Sequence, residues 1–172
     1  MSDHADANAT ITVRPAKPSD VPLLHSLIQG LAEYEKLADA FVVTEAQLHT
    51  HLFGPKPAAQ VLIALLGKEP VGYALFFSTF SSFVGRPGMW LEDLFVVPKF
   101  RKRGIGTRLL AEVAKIAVDQ KYGRLEWSVL DWNQPALNLY RRRGATVMDE
   151  WRICRVDQEC LKQLAGTGAK HA

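Results

Sequence analysis

The period of the hydrophobic and polar positions changes repeatedly along the chain, and the changes divide it into short elements. Ile11 to Arg14 alternates as a strand. Pro18, Ser19 and Asp20 open a helix whose apolar face is Val21, Leu24, Leu27, Ile28 and Leu31, and whose tail carries Glu33, Tyr34 and Glu35. Thr44 suits the N-cap of a shorter helix, with Gln47 at the capping-box position. After the turn at Gly54 to Pro57, residues 60–66 and 70–77 read as strands joined through Gly67, Lys68 and Glu69. The segment STFSSFVGRPG, 78–88, reads as a loop in which Phe80 and Phe83 either form a pocket wall or subunit contact or cover the core. Leu91 to Val97 is a β-prone run broken by Glu92 and Asp93 and closed by Pro98, which predicts a central strand with charges inside it. A basic turn follows, then Gly104 and Gly106, then a helix with Leu109, Leu110, Val113, Ile116 and Ala117 on one face.

Gly123 stops that helix, and Leu125, Trp127, Val129 and Asp131 alternate as another strand. Asn133 caps a short helix with Pro135 in its first turn and Gly144 at its end. Thr146 to Val156 reads as a last strand, and Asp157 as the cap of a terminal helix around Leu161 and Leu164. Residues 1–9 are small, polar and aperiodic, so the expectation is a disordered leader before one domain spanning 10–172. The order of elements predicts a mixed α/β domain, with an antiparallel N-terminal sheet and a parallel β-α-β step.

Composition changes this picture little. The 172 residues are 48% hydrophobic and 23% charged, as in an ordinary globular protein. The net charge of +3 is concentrated at 99–103 and 141–143, two patches rather than a basic face, which argues against a nucleic-acid partner. Two cysteines, Cys154 and Cys160, without a signal-peptide core or a long apolar run, argue for a cytoplasmic setting and no membrane partner. No metal site is expected: the cysteines do not form C-x-x-C, and His49 and His51 point to different helix faces, reading as surface and packing.

The candidate chemistry lies where the charged strand meets the glycine turn. The backbone N–H groups of Arg103 to Thr107, at the positive end of a helix, make a pyrophosphate seat beside the strand's carboxylates. It is neither a Walker loop, whose G-K-[ST] ending is absent, nor a Rossmann turn, whose third glycine is replaced by Leu109. Arg101-x-x-Gly104-x-Gly106 resembles the acyl-CoA pyrophosphate loop of the GNAT superfamily of N-acetyltransferases, and the order of elements resembles that fold over roughly residues 11–165. WLEDLFVVPKFRKRGIG, DWNQPALNLYRRRGA and EWRICRVD are similar to its diamine branch, the spermidine/spermine and thialysine acetyltransferases.

The resemblance implies a mostly antiparallel sheet with helices on both faces. It also implies transfer of an acetyl group from acetyl-CoA, by direct attack, to a primary amine of a small diamine, polyamine or lysine-like amino acid. An alkylamine with a pKa near ~10.4 is protonated at neutral pH, so a proton acceptor is required. The resemblance gives that role to Glu92, through water. In a regular strand Asp93 would face the other way unless a bulge intervenes, and the family's strand splays at this point. Tyr140, with Asn138 and Gly144 around it, resembles the family's general acid: a phenol near ~10 protonating a thiolate near ~8.5.

For the cosubstrate, the resemblance implies that backbone groups of Leu94, Phe95 and Val96 pair with pantetheine as an extra strand, with Asn133 and Ala136 beside that arm. Arg101, Lys102, Arg103, Gly104, Ile105, Gly106 and Thr107 would hold the pyrophosphate and Arg143 the nucleotide end, while Arg141 and Arg142 stay solvated. Tyr34 and Glu35 match a pair that, with Glu92 and Asp93, lines the amine site. A symmetric homodimer is implied as well. The alternatives are an acetyltransferase of protein lysines or N-termini and an inactive acyl-CoA sensor; the presence of both Glu92 and Tyr140 counts against the sensor. Segment 78–88 has no carboxylate where mammalian polyamine enzymes carry an aspartate, which favours compact diamines or amino acids with a side-chain amine.

Overall fold

The computed structural model describes residues 9–167, so the expected leader lies outside the described residues apart from Ala9. They fall into two compact units that divide after Leu130.

The first unit is built on five strands that neighbour one another in chain order: β1 (Ile11–Pro15), β2 (Gln60–Leu66), β3 (Glu69–Ser81), β4 (Arg86–Val96) and β5 (Leu125–Trp127). The first four pair antiparallel, and β5 pairs parallel to β4. Tight turns join β2 to β3 and β3 to β4, whereas the parallel step needs a crossover, supplied by α3 (Ile105–Asp119). Leu24 and Leu27 of α1 (Val21–Tyr34) share one core with Val61, Ile63, Tyr73 and Phe95. The two-residue period of the strands turns Leu62, Ala64 and Ala74 to the opposite face, where α3 buries Ile105, Leu109, Leu110 and Val113. The helices therefore cover both faces, as the family resemblance implied. The shorter α2 (Glu45–Phe53) packs on α1 and starts at Thr44, whose side chain accepts from the Gln47 N–H while Gln47 accepts from the Thr44 N–H.

Two expectations about this unit change. Segment 78–88 is not a loop: Thr79, Phe80 and Ser81 continue β3 and pair with Gly88, Pro87 and Arg86. The reversal is confined to a turn in which the Gly85 N–H reaches the Ser81 carbonyl at 2.8 Å with Gly85 at φ +66°. Thr, Phe and Ser sustain a strand once a partner strand lies beside them, so composition alone overstated the loop. Phe80 and Phe83 are 68% and 95% exposed and do not cover the core. The strand expected over Leu125 to Asp131 ends at Trp127, which pairs with Leu91, the residue before the irregular position in β4.

The second unit holds α4 (Gln134–Arg142) and α5 (Gln158–Thr167). Asn133 caps α4 through the Ala136 N–H, Gly144 at φ +85° ends it, and Asp157 caps α5 through the Cys160 N–H at 2.8 Å. The strand expected at Thr146 to Val156 is absent: among the described residues these positions join no ladder, and Met148, Trp151 and Ile153 are exposed. Alternation supplies a tendency, but a strand exists only when another strand's edge accepts it.

Candidate active site

The register of β4 on β3 contains one irregularity, and the site grows from it. Asp93 lies opposite Leu75 and Leu91 opposite Phe76, so Glu92 is an extra residue without a counterpart, a β-bulge. The bulge separates the two carboxylates. Glu92 is exposed and accepts a hydrogen bond from the Trp90 indole N–H at 2.8 Å, whereas Asp93 is largely buried and accepts from the Tyr73 hydroxyl at 3.0 Å.

The bulge is also where β5 stops, since β5 pairs with β4 only over Met89, Trp90 and Leu91. From there to Val96, β4 pairs only with β3 among the described residues. The Val97 N–H donates to the Val71 carbonyl, and hydrogen-bonded pairs recur every second residue of an antiparallel ladder, so Phe95–Tyr73 and Asp93–Leu75 are the next such pairs. Leu94 and Val96 consequently aim their backbone N–H and C=O groups along the edge that β5 has left. Phe95, expected to join them, faces β3 instead, and its ring is buried.

The turn beyond β4 prepares an anion seat. Lys102 at φ +62° and Gly104 at φ +84° bend the chain into α3, and Gly104, as N-cap, has no side chain with which to cap it. The first intrahelical bond runs from the Arg108 N–H to the Gly104 carbonyl at 2.9 Å, which leaves the N–H groups of Ile105, Gly106 and Thr107 without helical partners. Lys102 and Arg103 stand exposed at this mouth. Arg101 does not join them. Its Nε donates to the Val96 carbonyl at 2.9 Å, and its guanidinium lies 3.9 Å over the Tyr34 ring. That carbonyl points along the open edge and not toward β3, so Arg101 takes one of the edge's acceptors and ties the end of β4 to the Tyr34 ring of α1. The Tyr34 ring, expected along the amine site, is correspondingly packed against Arg101 and the core.

A groove of about 520 Å³ opens beside Asp93, lined by Glu35, by apolar side chains such as Leu31 and Phe41, and by Gln47 and His51 of α2. Burial, with the negative charges of Glu92 and Glu35 adding to it, raises the Asp93 pKa to about 6 against the opposing hydrogen bond from Tyr73. Burial raises Glu35 as well. The Tyr73 phenol is pushed well above its ordinary value by burial, then by the charge and hydrogen bond of Asp93. A largely apolar groove holding two carboxylates suits a cation. His51, read from the sequence as surface and packing, lines this pocket; the signal for it was its separation of four residues from Gln47, which puts both on one helical face.

In the second unit Asn133 and Ala136 form the capped start of α4, Tyr140 is buried, and Arg143 is exposed at the helix end with Arg141 and Arg142. Among the described residues there is no group of three or more His, Cys, Asp or Glu side chains placed to hold a metal ion, and no helix long and apolar enough to cross a membrane.

Comparison with known proteins leads to the same chemistry. The model of the acetyltransferase (GNAT) family matches residues 30–145. The chain is 36% identical to a thialysine N-epsilon-acetyltransferase of Bos taurus, over 92% of this chain and 99% of that protein. It is 32% identical to an L-ornithine N5-acetyltransferase of Arabidopsis thaliana, over 88% of this chain and 86% of the other. Among solved structures, an integron cassette protein from the mobile metagenome of V. cholerae shares the fold, with a TM-score of 0.75 at 24% identity over 90% of this chain and 97% of that one. Since the family match runs through the bulge, the open edge and the uncapped helix, the chain belongs to the acetyltransferase (GNAT) family and is an acetyl-CoA-dependent N-acetyltransferase.

Proposed function

We propose that the protein acetylates a primary amine of a small diamine, polyamine or lysine-like amino acid. The observation that carries this reading is the junction at the β4 bulge of an open backbone edge with a groove lined by the partly buried Asp93 and Glu35. The names of the relatives, which act on thialysine and ornithine, support a small amine over protein lysines. Bound acetyl-CoA supplies the activated acyl group. The backbone of Leu94 and Val96 pairs with pantetheine, with Asn133 and Ala136 as further contacts to that arm. The N–H groups of Ile105, Gly106 and Thr107 take the pyrophosphate with Lys102 and Arg103, and Arg143 takes the nucleotide end. Glu92, exposed and therefore reachable by water, accepts the ammonium proton, while Asp93 and Glu35 hold positive charge in the groove. Tyr140 returns a proton to the leaving sulfur.

The family match crosses from the first compact unit into the second, which supports treating residues 10–172 as one acetyltransferase domain. A homodimer is part of the proposal, supported by the exposed Phe80 and Phe83 of the hairpin and by Trp151 and Ile153. A cytoplasmic setting is supported by the two exposed free cysteines. Thiol release from acetyl-CoA across spermidine, putrescine, 1,3-diaminopropane, thialysine and monoamines of equal length tests the activity. Turnover should favour substrates with a second positive charge; preference for a monoamine, or no release with any amine, overturns the reading.

A further inference from the structure

The groove beside Asp93 has two chemically unlike polar walls. Glu35 and Asp93 are carboxylates, whereas the polar groups that α2 contributes are Gln47 and His51, and the lining between is apolar. The orientation of the Gln47 amide follows from its capping bond. The Thr44 backbone N–H is only a donor, and it lies 2.8 Å from Gln47 Oε1, with the Thr44 hydroxyl at 3.0 Å from the same atom. The oxygen is therefore committed to Thr44, and the group Gln47 has left to offer is an NH₂ donor. His51 follows four residues later on the same helical face and offers a ring N–H.

A wall of N–H donors suits an anion. A linear polyamine, positive at every polar position, gains nothing from it. An α,ω-diamino acid gains at both ends, because it joins an alkylammonium, a methylene chain and a carboxylate in one molecule. We propose that Gln47 and His51 form a carboxylate subsite and that the preferred substrate class is the α,ω-diamino acid. Its side-chain amine then lies at Asp93, next to the open edge of Leu94, its methylenes cross the apolar lining, and its carboxylate meets α2. This rests on the amine-acetyltransferase reading above and narrows it to a zwitterionic substrate.

The test compares each amino acid with its own decarboxylation product: ornithine with putrescine, and lysine with cadaverine. In the wild-type protein kcat/KM should favour the amino acid by about tenfold or more, the contribution of hydrogen bonds to one charged group. Gln47→Glu keeps an acceptor for the Thr44 N–H, and so the cap, while replacing the donor with an anion. It should lower the ornithine-to-putrescine ratio by at least about tenfold, chiefly through the KM for ornithine. His51→Ala should lower the ratio less, and unchanged melting temperatures would separate these effects from loss of the fold. Brisk acetylation of putrescine with no preference for ornithine overturns the carboxylate subsite and leaves the amine reading standing. A strong preference for ornithine that survives in both variants also overturns it, by placing recognition elsewhere. No thiol release with any of the four amines overturns both.

Discussion

The two halves of β4 share one strand and differ in what lies beside it. From Met89 to Leu91 the strand is paired on both sides, and Met89 and Leu91 are 1% and 2% exposed. From Glu92 to Val96 it is paired only with β3 among the described residues, and this half carries both carboxylates and the backbone groups that face the side β5 does not reach. One inserted residue, Glu92, separates the two. A charge within the doubly paired half would be buried without a partner and strongly destabilising; at the bulge one carboxylate meets solvent and the other meets a tyrosine hydroxyl and a groove. The first half holds the sheet together and the second is available to bind.

The largest effect on this contrast should come from the bulged residue. Glu92→Gln should lower kcat by about 10²- to 10⁴-fold with acetyl-CoA affinity nearly unchanged, and should recover in part at high pH, where solution supplies free amine. A defect independent of pH would reassign Glu92 to binding. Gly106→Val adds a branched side chain over the uncapped start of α3 and should weaken CoA binding by at least about tenfold in calorimetry, whereas altering the capped start of α2 with Thr44→Ala should lower stability without touching CoA affinity.

A smaller effect tests the buried side of the bulge. Because folding raises the Asp93 pKa to about 6, the stability linked to this group is fully present below its unfolded value and is lost as pH rises through about 6. Asp93→Asn keeps an acceptor for the Tyr73 hydroxyl and removes the charge. It should stabilise the protein by about 2 kcal/mol near pH 8, with the gain closing below pH 6 in denaturant melts, and it should raise the KM for the amine. Least of all, Trp90→Phe removes the indole donor from Glu92 and should lower kcat about threefold, less than a full hydrogen bond to a charged group contributes because the pair is exposed. A shifted pH profile of kcat would separate positioning of Glu92 from simple loss of packing.

What the sequence conveyed and what it withheld follow one physical division. Signals carried by neighbouring residues were readable: β2 occupies residues 60–66 as its pattern predicts, Thr44 and Asn133 cap their helices, and α3 begins at the glycine turn. Features decided by a partner were not. Alternation could not say on which side of the sheet Glu92 and Asp93 fall, because that depends on where β3 holds β4. Thr146 to Val156 carries a strand's pattern yet joins no ladder among the described residues, while 78–88 carries a loop's composition yet pairs. Arg101 reads as a phosphate ligand by spacing, while its contacts with the Val96 carbonyl and the Tyr34 ring are set by where β4 and α1 meet. The role of His51 is set by Gln47, its neighbour on the helix face, and not by His49, its nearest histidine in sequence.

The central claim, that the second half of β4 is an edge made for the cosubstrate, is tested most directly by amide hydrogen exchange read residue by residue with and without CoA. The N–H groups of Leu94 and Val96, with those of Ile105, Gly106 and Thr107, should exchange rapidly in the free protein and slow on addition of CoA, while Asp93 and Phe95, already bonded to β3, should be slow in both states. Equal protection of all four strand amides in the free protein, or no slowing at Leu94 and Val96 when CoA is bound, would contradict the account.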